Sequence, residues 1–289
     1  MKPERFHRAV AAALVLAATL LGGPSARLAA SDWEPRVGIH TWTLRNLDFD
    51  HAVDFAVQHG IRDLSFSLHL DPKAPREAND RKKAVLDANG IRIHAFGVNE
   101  TSLDKEENRK LFEFARRMGI GVIVVEPKDF KIWDNLEQLA VEYDLRVAVH
   151  NHGIKSLYGN PAVVRAVLRG RDRRLGVCLD VGWLTAAGFD AAKVFADYDG
   201  RVFDIHLKDK HVEKAREGDD IAIDTRIGEG DANLTGLLKV LRESKWPGVL
   251  SIETDGRDFA RDPGPFVDAA RSFVRAQSAP PPGVSPEWH

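Results

Sequence analysis

The sequence predicts an α/β protein, a (β/α)8 TIM barrel that forms a single domain over residues 32–276. Eight short apolar runs recur at nearly regular spacing, and segments with helical periodicity lie between them. Eight strands that alternate with helices over about 245 residues favour a closed barrel over an open doubly wound sheet. No glycine-rich phosphate loop follows the first run, which weakens the dinucleotide-binding alternative. The runs begin near Val37, Ile61, Ile91, Ile120, Leu145, Leu175, Val202 and Val249.

Glycines mark boundaries between the predicted helices and strands. In several places a glycine stands directly before an apolar run, which is typical of a helix C-cap that leads into a strand. The intervening segments carry apolar residues three and four apart, and are predicted to be amphipathic helices covering the barrel. The polar interval 210–230 is predicted to be a long loop over the barrel mouth. The glycines are Gly60, Gly90, Gly119 and Gly248, and clear helical segments cover 50–59, 105–118, 136–143 and 234–244.

The two ends of the chain differ in composition from the barrel segment. Residues 1–30 have the order of a secretory signal peptide, with basic residues before the apolar run 9–21 and Leu28-Ala29-Ala30 as a cleavage site. An uncleaved N-terminal anchor is the alternative, although the run is short for a membrane span. We expect an exported protein, periplasmic or secreted, with no stable membrane span after cleavage. Residues 277–289 are rich in proline and are predicted to be a disordered tail.

Charge and cysteine content exclude several classes of function. The formal net charge is −2, and removal of residues 1–30, which hold four bases and one acid, changes it to −5. A mildly acidic protein is a poor candidate for nucleic-acid binding, which requires a basic surface. Cys178 is the only cysteine, so the chain forms no internal disulfide and no multi-thiolate zinc site. Any metal ion must therefore be held by oxygen and imidazole ligands.

The seventh predicted strand has one apolar and one polar face. Its side chains alternate, so the polar ones are predicted to point to the same side of the sheet. The apolar set is Phe203, Ile205 and Leu207, and the polar set is Asp204, His206 and Lys208. The same reasoning places His40 and Trp42 of strand one, and His94 and Phe96 of strand three, on the side that faces the pocket.

Polar residues end five consecutive predicted strands, and in such a barrel ligands bind at the C-terminal strand ends. Carboxylates and imidazoles that converge in a small space would repel one another and lose solvation unless a cation lay between them. Mostly oxygen ligands with one nitrogen suit Mn²⁺, Mg²⁺ or Co²⁺, with Zn²⁺ possible. We therefore predict one divalent metal ion held by Glu126, Asp180, His206 and Glu253.

Several motifs, most of them in the second half of the chain, resemble those of a known superfamily. In order they are VHNHG at 149–153, GVCLDVG at 176–182, IHLKD at 205–209, GEG at 228–230 and GVLSIE at 248–253. Together they resemble the sugar phosphate isomerase/epimerase superfamily, the xylose-isomerase-like TIM barrels, over residues 37–274. The first motif resembles a strand-five variant seen in many members, including inosose-dehydratase-like ones. The combination is specific for the superfamily rather than for a substrate.

The resemblance implies a divalent metal that binds adjacent oxygens of a keto-sugar, and acid and base residues that move a proton on the carbon beside the carbonyl. Glu253 is the first choice for the base. Epimerase members carry a second glutamate on strand five, where this chain has His150, so Glu126 or His150 is expected to share the ligand and proton-transfer roles. Lys208 is predicted to hold a substrate oxygen, or to act as an acid if a nearby metal lowers its pKa.

Two positions depart from the superfamily pattern. Trp183 stands where many relatives have histidine, and its indole could stack on a sugar ring. Ser65 stands where an acidic residue is common. Histidine and aromatic side chains suit a polyol, so the predicted substrate-binding residues are His40, Trp42, His94, His152 and Trp183.

The leading hypothesis is a metal-dependent isomerase or epimerase of a non-phosphorylated keto-sugar or polyol. The alternative is a metal-dependent lyase or dehydratase acting on 3-keto-glycosides or inososes, which the strand-five histidines and the expected export favour. A second alternative is a sugar-binding barrel without catalysis, and a phosphodiester-cleaving enzyme is disfavoured because the chain lacks a basic face. The expected partner is a small-molecule carbohydrate, and the sequence leaves the sugar and the oligomeric state open.

Overall fold

Strands alternate with helices throughout the part of the chain that the structure describes, residues 33–215 and 220–278 of a computed structural model. The strands are β1 (Arg36–His40), β2 (Asp63–Phe66), β3 (Arg92–Asn99), β4 (Val122–Val125), β5 (Arg146–His150), β6 (Leu175–Asp180), β7 (Val202–Leu207), β8 (Lys210–Glu213), β9 (Ile221–Asp224) and β10 (Val249–Ile252). The helices are α1 (Phe49–Gln58), α2 (Arg76–Ala88), α3 (Lys105–Met118), α4 (Ile132–Tyr143), α5 (Pro161–Leu168), α6 (Val181–Ala186), α7 (Ala191–Asp197), α8 (Leu234–Glu243), α9 (Arg257–Arg261) and α10 (Pro263–Ser278).

Eight of these strands pair in parallel and close into a barrel in the order β1-β10-β7-β6-β5-β4-β3-β2. Helices connect the barrel strands along the chain, so the predicted (β/α)8 barrel is confirmed, with β10 as its eighth strand. The interval 210–230 is more ordered than a loop, because β8 and β9 form an antiparallel hairpin there. Alternating isoleucines in β9, which the prediction overlooked, suit a strand.

Local sequence signals set the helix ends. The Asp104 side chain accepts a hydrogen bond from the Glu106 N–H at the start of α3, and Gly119 ends that helix with φ of 70°. Gly60 and Gly90 also have positive φ, as the C-cap prediction requires. Gly248 does not; a β-carbon at Gly248 would lie 2.1 Å from the Trp246 ring, so close packing explains this glycine.

Apolar side chains pack in an outer layer between barrel and helices and in a smaller cluster inside the barrel. The outer layer includes large, fully buried side chains such as Phe112, Trp133 and Leu237. Burial of this apolar surface is the main contribution to the stability of the fold. The inner cluster consists of Ala95, Val122, Val124, Ala148, Cys178 and Phe203.

Two irregularities in strand pairing change which side chains face inward. Between β6 and β7 the register skips Phe203, so this residue joins the inner cluster and the predicted apolar face of β7 is wrong there. Between β2 and β3 the register skips His94. Phe96 consequently packs outward against Phe114 of α3, with ring centroids 5.4 Å apart, and the prediction that it faces the pocket is wrong.

The predicted signal peptide, residues 1–30, lies outside the described residues, as does most of the predicted tail, residues 279–289. Gln277 and Ser278, the first residues of that tail, belong to α10. Within the described part of the chain, no helix has the length and apolar character needed to cross a membrane.

Candidate metal centre

The C-terminal ends of β5, β6, β7 and β10 bring four polar side chains together inside the barrel. His150 ends β5, Asp180 ends β6, His206 is the last residue but one of β7, and Glu253 directly follows β10. Strand register places Asp180 and Ser251 on either side of His206. The four polar residues are buried, with at most 6% of their surface exposed. These residues are called the metal-site cluster below.

Ligand-type atoms of the metal-site cluster face one another at short range. Nδ1 of His206 lies 2.6 Å from Oε2 of Glu253, 3.2 Å from Nε2 of His150 and 3.8 Å from Oδ2 of Asp180. Nε2 of His150 is 3.6 Å from Oδ2 of Asp180. His206 is therefore the centre of an arrangement in which two imidazole nitrogens and two carboxylate oxygens converge.

Two carboxylate oxygens of this cluster are buried close to nitrogen atoms without a well-formed hydrogen bond. Oδ2 of Asp180 lies 3.2 Å from Nζ of Lys208, and Oε2 of Glu253 lies 2.6 Å from Nδ1 of His206, but neither contact has hydrogen-bond geometry. Buried carboxylate oxygens without a hydrogen bond are uncommon and costly in native proteins. The residues therefore fit a divalent cation, whose binding would satisfy both oxygens, while the mixed oxygen and nitrogen set does not identify the metal.

Glu126 occupies a different place from the one predicted. It follows β4 and contacts both histidines of strand five, with Oε1 at 3.3 Å from Nδ1 of His150 and 2.5 Å from Nδ1 of His152. Among the described residues it does not share a group of ligand atoms with Asp180 or Glu253. Glu126 instead groups with His150 and His152, and the His150 ring stands between Glu126 and the metal-site cluster and presents Nε2 to it.

Electrostatics keep the carboxyl groups ionised. Burial alone would raise the pKa of Asp180 and of Glu253, but the charge of Lys208 and the neighbouring histidines lower both well below their usual values. Burial alone would also raise the pKa of Glu126, but hydrogen bonds from His150 and His152 lower this pKa to about 2. The site therefore presents three negative charges near the two strand-five histidines.

Lys208 lies buried beside the metal-site cluster. Its Nζ is 3.1 Å from Oε1 of Glu253, 3.1 Å from Oδ2 of Asp255 and 3.2 Å from Oδ2 of Asp180. Burial alone would lower its pKa, but these carboxylates raise the pKa well above the usual value. Lys208 is therefore an ammonium group held by three carboxylates.

Two predicted substrate-binding residues of strand one differ in position. His40 is buried against the cluster, with its ring centroid 4.4 Å from that of His206 and Nδ1 3.7 Å from Oε1 of Glu253. Burial lowers the pKa of His40 to about 4, so its imidazole is neutral near pH 7. Trp42 lies in the turn after β1, is 38% exposed, and packs under the Arg45 guanidinium, so it belongs to the rim.

His94 does not reach the metal-site cluster. Its Nε2 lies 3.2 Å from the Phe203 carbonyl oxygen and 3.5 Å from Oδ1 of Asp204, at the beginning of β7. His94 therefore faces the barrel interior, as predicted, but it lies against Asp204 rather than at the metal-site cluster. Contact between His94 and substrate stays a prediction.

Asp204 is a further residue of the site to which the sequence analysis gave no role. It is fully buried, accepts hydrogen bonds from Ser65 Oγ at 3.2 Å and Ser251 Oγ at 2.8 Å, and places Oδ2 3.6 Å from Nε2 of His206. The polar alternation of β7 was the signal that could have identified it. Ser65 of β2 therefore donates a hydrogen bond to a carboxylate of β7.

His152 and Trp183 form the outer edge of the site. The side chain of His152 is 43% exposed and its ring lies 6.1 Å from that of Trp183. The Trp183 ring faces the ammonium groups of Lys208 and Lys210, at 5.7 Å and 4.6 Å from its centroid. Gly153 leaves room for the indole, since a β-carbon there would approach it to 3.3 Å.

Comparisons with known proteins agree with this architecture. Residues 53–277 match the family model described as xylose isomerase-like TIM barrel. An inosose dehydratase of Clostridium perfringens is 24% identical over 248 residues, which cover 71% of this chain and 83% of the relative.

Solved structures with the same fold include a probable 3-DHS dehydratase, AsbF of Bacillus anthracis. Its TM-score is 0.62 at 14% identity, and the match covers 83% of this chain and 98% of AsbF. The IOLI protein with a bound zinc atom has a TM-score of 0.65, 16% identity, and coverage of 84% and 98%. These two likenesses show the fold alone. The family match and the observed barrel show that the chain belongs to the xylose isomerase-like TIM barrel family.

Proposed function

We propose that this protein is a metal-dependent lyase of the dehydratase type that acts on a cyclic keto-polyol or keto-sugar. The observation that carries the proposal is the pairing of His152 with Glu126 at the edge of the metal-site cluster, where a proton-transfer group adjoins a candidate cation site. The curated relatives named inosose dehydratase support elimination more than the isomerase or epimerase reaction that was the leading hypothesis. Family membership alone is compatible both with elimination and with isomerisation or epimerisation.

The proposed ligands are His150, Asp180, His206 and Glu253. When bound there, a divalent cation supplies Lewis-acid polarisation of a carbonyl and so acidifies the neighbouring C–H. Glu126 holds His150 from the opposite ring nitrogen, an arrangement that fixes the orientation of a ligand histidine.

Proton transfer is assigned to His152 rather than to Glu253. Both oxygens of Glu253 are engaged, one with Lys208 and one facing His206. The Nδ1 of His152 is bonded to Glu126 and the side chain is 43% exposed, so its Nε2 can exchange a proton with substrate. Lys208 supplies a positive charge beside the metal-site cluster, which stabilises negative charge that develops on a substrate oxygen.

The proposed elimination balances as follows. His152 takes the proton from the carbon next to the ketone, and the C–H electron pair forms a carbon–carbon double bond while the C–O bond on the following carbon breaks. The departing oxygen receives a proton from His152, so the products are an unsaturated ketone and water or an alcohol. The expected export and the lack of a basic face favour a non-phosphorylated substrate.

The test uses Mn²⁺-loaded protein in D₂O with 2-keto-myo-inositol and with methyl 3-keto-glucoside, followed by NMR and ultraviolet absorbance. We expect an unsaturated ketone with loss of water or methanol. Deuterium incorporation without loss of the oxygen substituent would support isomerisation instead, and neither reaction would support a binding protein. Glu126→Gln should lower kcat by about 10²–10³ while metal stays bound, and the exposed His51→Asn should leave kcat unchanged.

A further inference from the structure

A cleft of about 720 Å³ opens directly beside the metal-site cluster. His152 and Trp183 belong to both, since they line the cleft and also form the outer edge of the site. The cleft continues outward between the loop after β5 and the end of α6. A group attached to a substrate at the metal-site cluster would therefore have a continuous path into it.

The cleft wall has an apolar part and a charged part, the latter formed by Lys155, Lys214 and Asp220. Ile154, which is 50% exposed, stands on one side, and Ala187 and Gly188 at the end of α6 leave the opposite side open. A β-carbon at Gly188 would meet nothing within 4 Å. The packing of Trp183 on Gly153 provides a flat aromatic surface. This apolar part of the wall suits an apolar or ring-shaped group.

The volume of this cleft indicates how large the leaving group of the substrate is. A departing water occupies about 30 Å³, far less than the space available, whereas ligand sites of about 300–1,000 Å³ hold molecules of drug size. We propose that the cleft binds the alcohol portion of a keto-glycoside, so that the departing group is an alcohol with an apolar body. This inference rests on the proposed elimination and specifies its substrate class.

The position of His152 fits this assignment. Its ring lies between the cleft and the metal-site cluster, with Nδ1 held by Glu126 at 2.5 Å. The proton taken from the carbon beside the ketone could therefore be returned by the same imidazole to the glycosidic oxygen as the C–O bond breaks. The alcohol leaves protonated into the cleft, and the sugar part retains the new double bond.

Benzyl and methyl 3-keto-glucosides of the same anomeric configuration test the proposal, because their alcohols have similar acidity and differ in apolar size. We expect kcat/KM for the benzyl compound to exceed that for the methyl compound about tenfold or more. Ala187→Trp, which fills the cleft, should reduce this ratio to near one because it lowers kcat/KM for the benzyl compound more than for the methyl compound. Ala166→Trp, in a separate groove between α4 and α5, should leave the ratio unchanged. A ratio near one in the wild type, or equal loss for both substrates in Ala187→Trp, would overturn the proposal.

A binding measurement separates this proposal from the proposed function. If neither glycoside is eliminated, the elimination chemistry is wrong, and calorimetry with unoxidised benzyl glucoside still tests the cleft. Binding to the wild type that is lost in Ala187→Trp and kept in Ala166→Trp would support the cleft as a site for the alcohol portion. The same affinity in all three proteins, or no binding, would refute it.

Discussion

Asp204 shows how a carboxylate can be held inside the barrel. Burial alone would raise its pKa, but hydrogen bonding from His94, the charge of His206 and the bond from Ser251 lower it below the usual value. The Asp204 carboxylate lies beneath Nε2 of His206, while Nδ1 of the same ring faces Glu253. Glu126 lies behind His150 in a similar way but closer, with a hydrogen bond of 3.3 Å where the Asp204–His206 distance is 3.6 Å. Carboxylates behind ligand histidines fix the ring orientation and raise the basicity of the ligand nitrogen.

Replacement of Asp204 by asparagine should therefore weaken metal binding about 10–100-fold, because the amide keeps the size but not the charge of the carboxylate. The measurement is Mn²⁺ or Zn²⁺ affinity by chelator competition on protein whose circular dichroism is unchanged. Ser251→Ala, which removes one hydrogen bond to Asp204 and keeps its charge, should change affinity by less than about threefold. Unaltered affinity in a folded Asp204→Asn protein would mean that Asp204 serves packing only.

At the scale of elements, an ion-pair network ties together the first residues of three barrel strands. Asp63 at the start of β2 accepts from Arg36 of β1 at 2.6 Å and from two nitrogens of Arg92 of β3 at 2.8 Å and 2.7 Å. The Asp63 side chain is only 5% exposed, whereas both arginines reach solvent. Burial alone would raise the pKa of Asp63, and the bonds from Arg92 and Arg36 lower it.

Asp63→Asn should therefore reduce the free energy of unfolding by about 2 kcal/mol at pH 7. A lowered folded-state pKa gives stability that is present above the unfolded value of about 3.9 and lost as the pH falls through the folded value. The difference between the two proteins should consequently shrink below about pH 4 in urea denaturation at a series of pH values. Asp258→Asn, which removes an exposed pair with Arg261, should have little effect at any pH. A difference independent of pH would indicate that charge is not the cause.

Strand pairing also explains which parts of the site the sequence could predict. Asp180, His206 and Glu253 lie at or next to strand ends, beyond the bulge at Phe203, and simple alternation predicted that they face the barrel mouth. Phe203 and His94 lie at bulges, and a single extra residue reverses side-chain direction without a recognisable local signal. The sequence could not decide whether Glu126 or His150 belongs to the metal-site cluster. That depends on distances between side chains of neighbouring strands, and spacing along the chain does not give these distances.

At the scale of the whole molecule, the barrel brings together residues that are far apart in sequence. Glu126 and Glu253 lie on opposite halves of the chain, yet both contact histidines of one cluster. The number and order of strands were predictable because eight apolar runs alternate with helical segments. The cleft beside Trp183 could not be predicted from the sequence, because it is formed by the space that small residues leave between distant loops.

The central claim is that His150, Asp180, His206 and Glu253 hold a divalent cation and that Glu126 acts from outside this set. Metal content after dialysis with Mn²⁺, measured by mass spectrometry on wild type, Asp180→Asn, His206→Ala and Glu126→Gln, tests it directly. We predict one ion per chain in the wild type and in Glu126→Gln, and loss of metal in Asp180→Asn and His206→Ala. Retention of stoichiometric metal by Asp180→Asn and His206→Ala, or its loss in Glu126→Gln alone, would contradict the account.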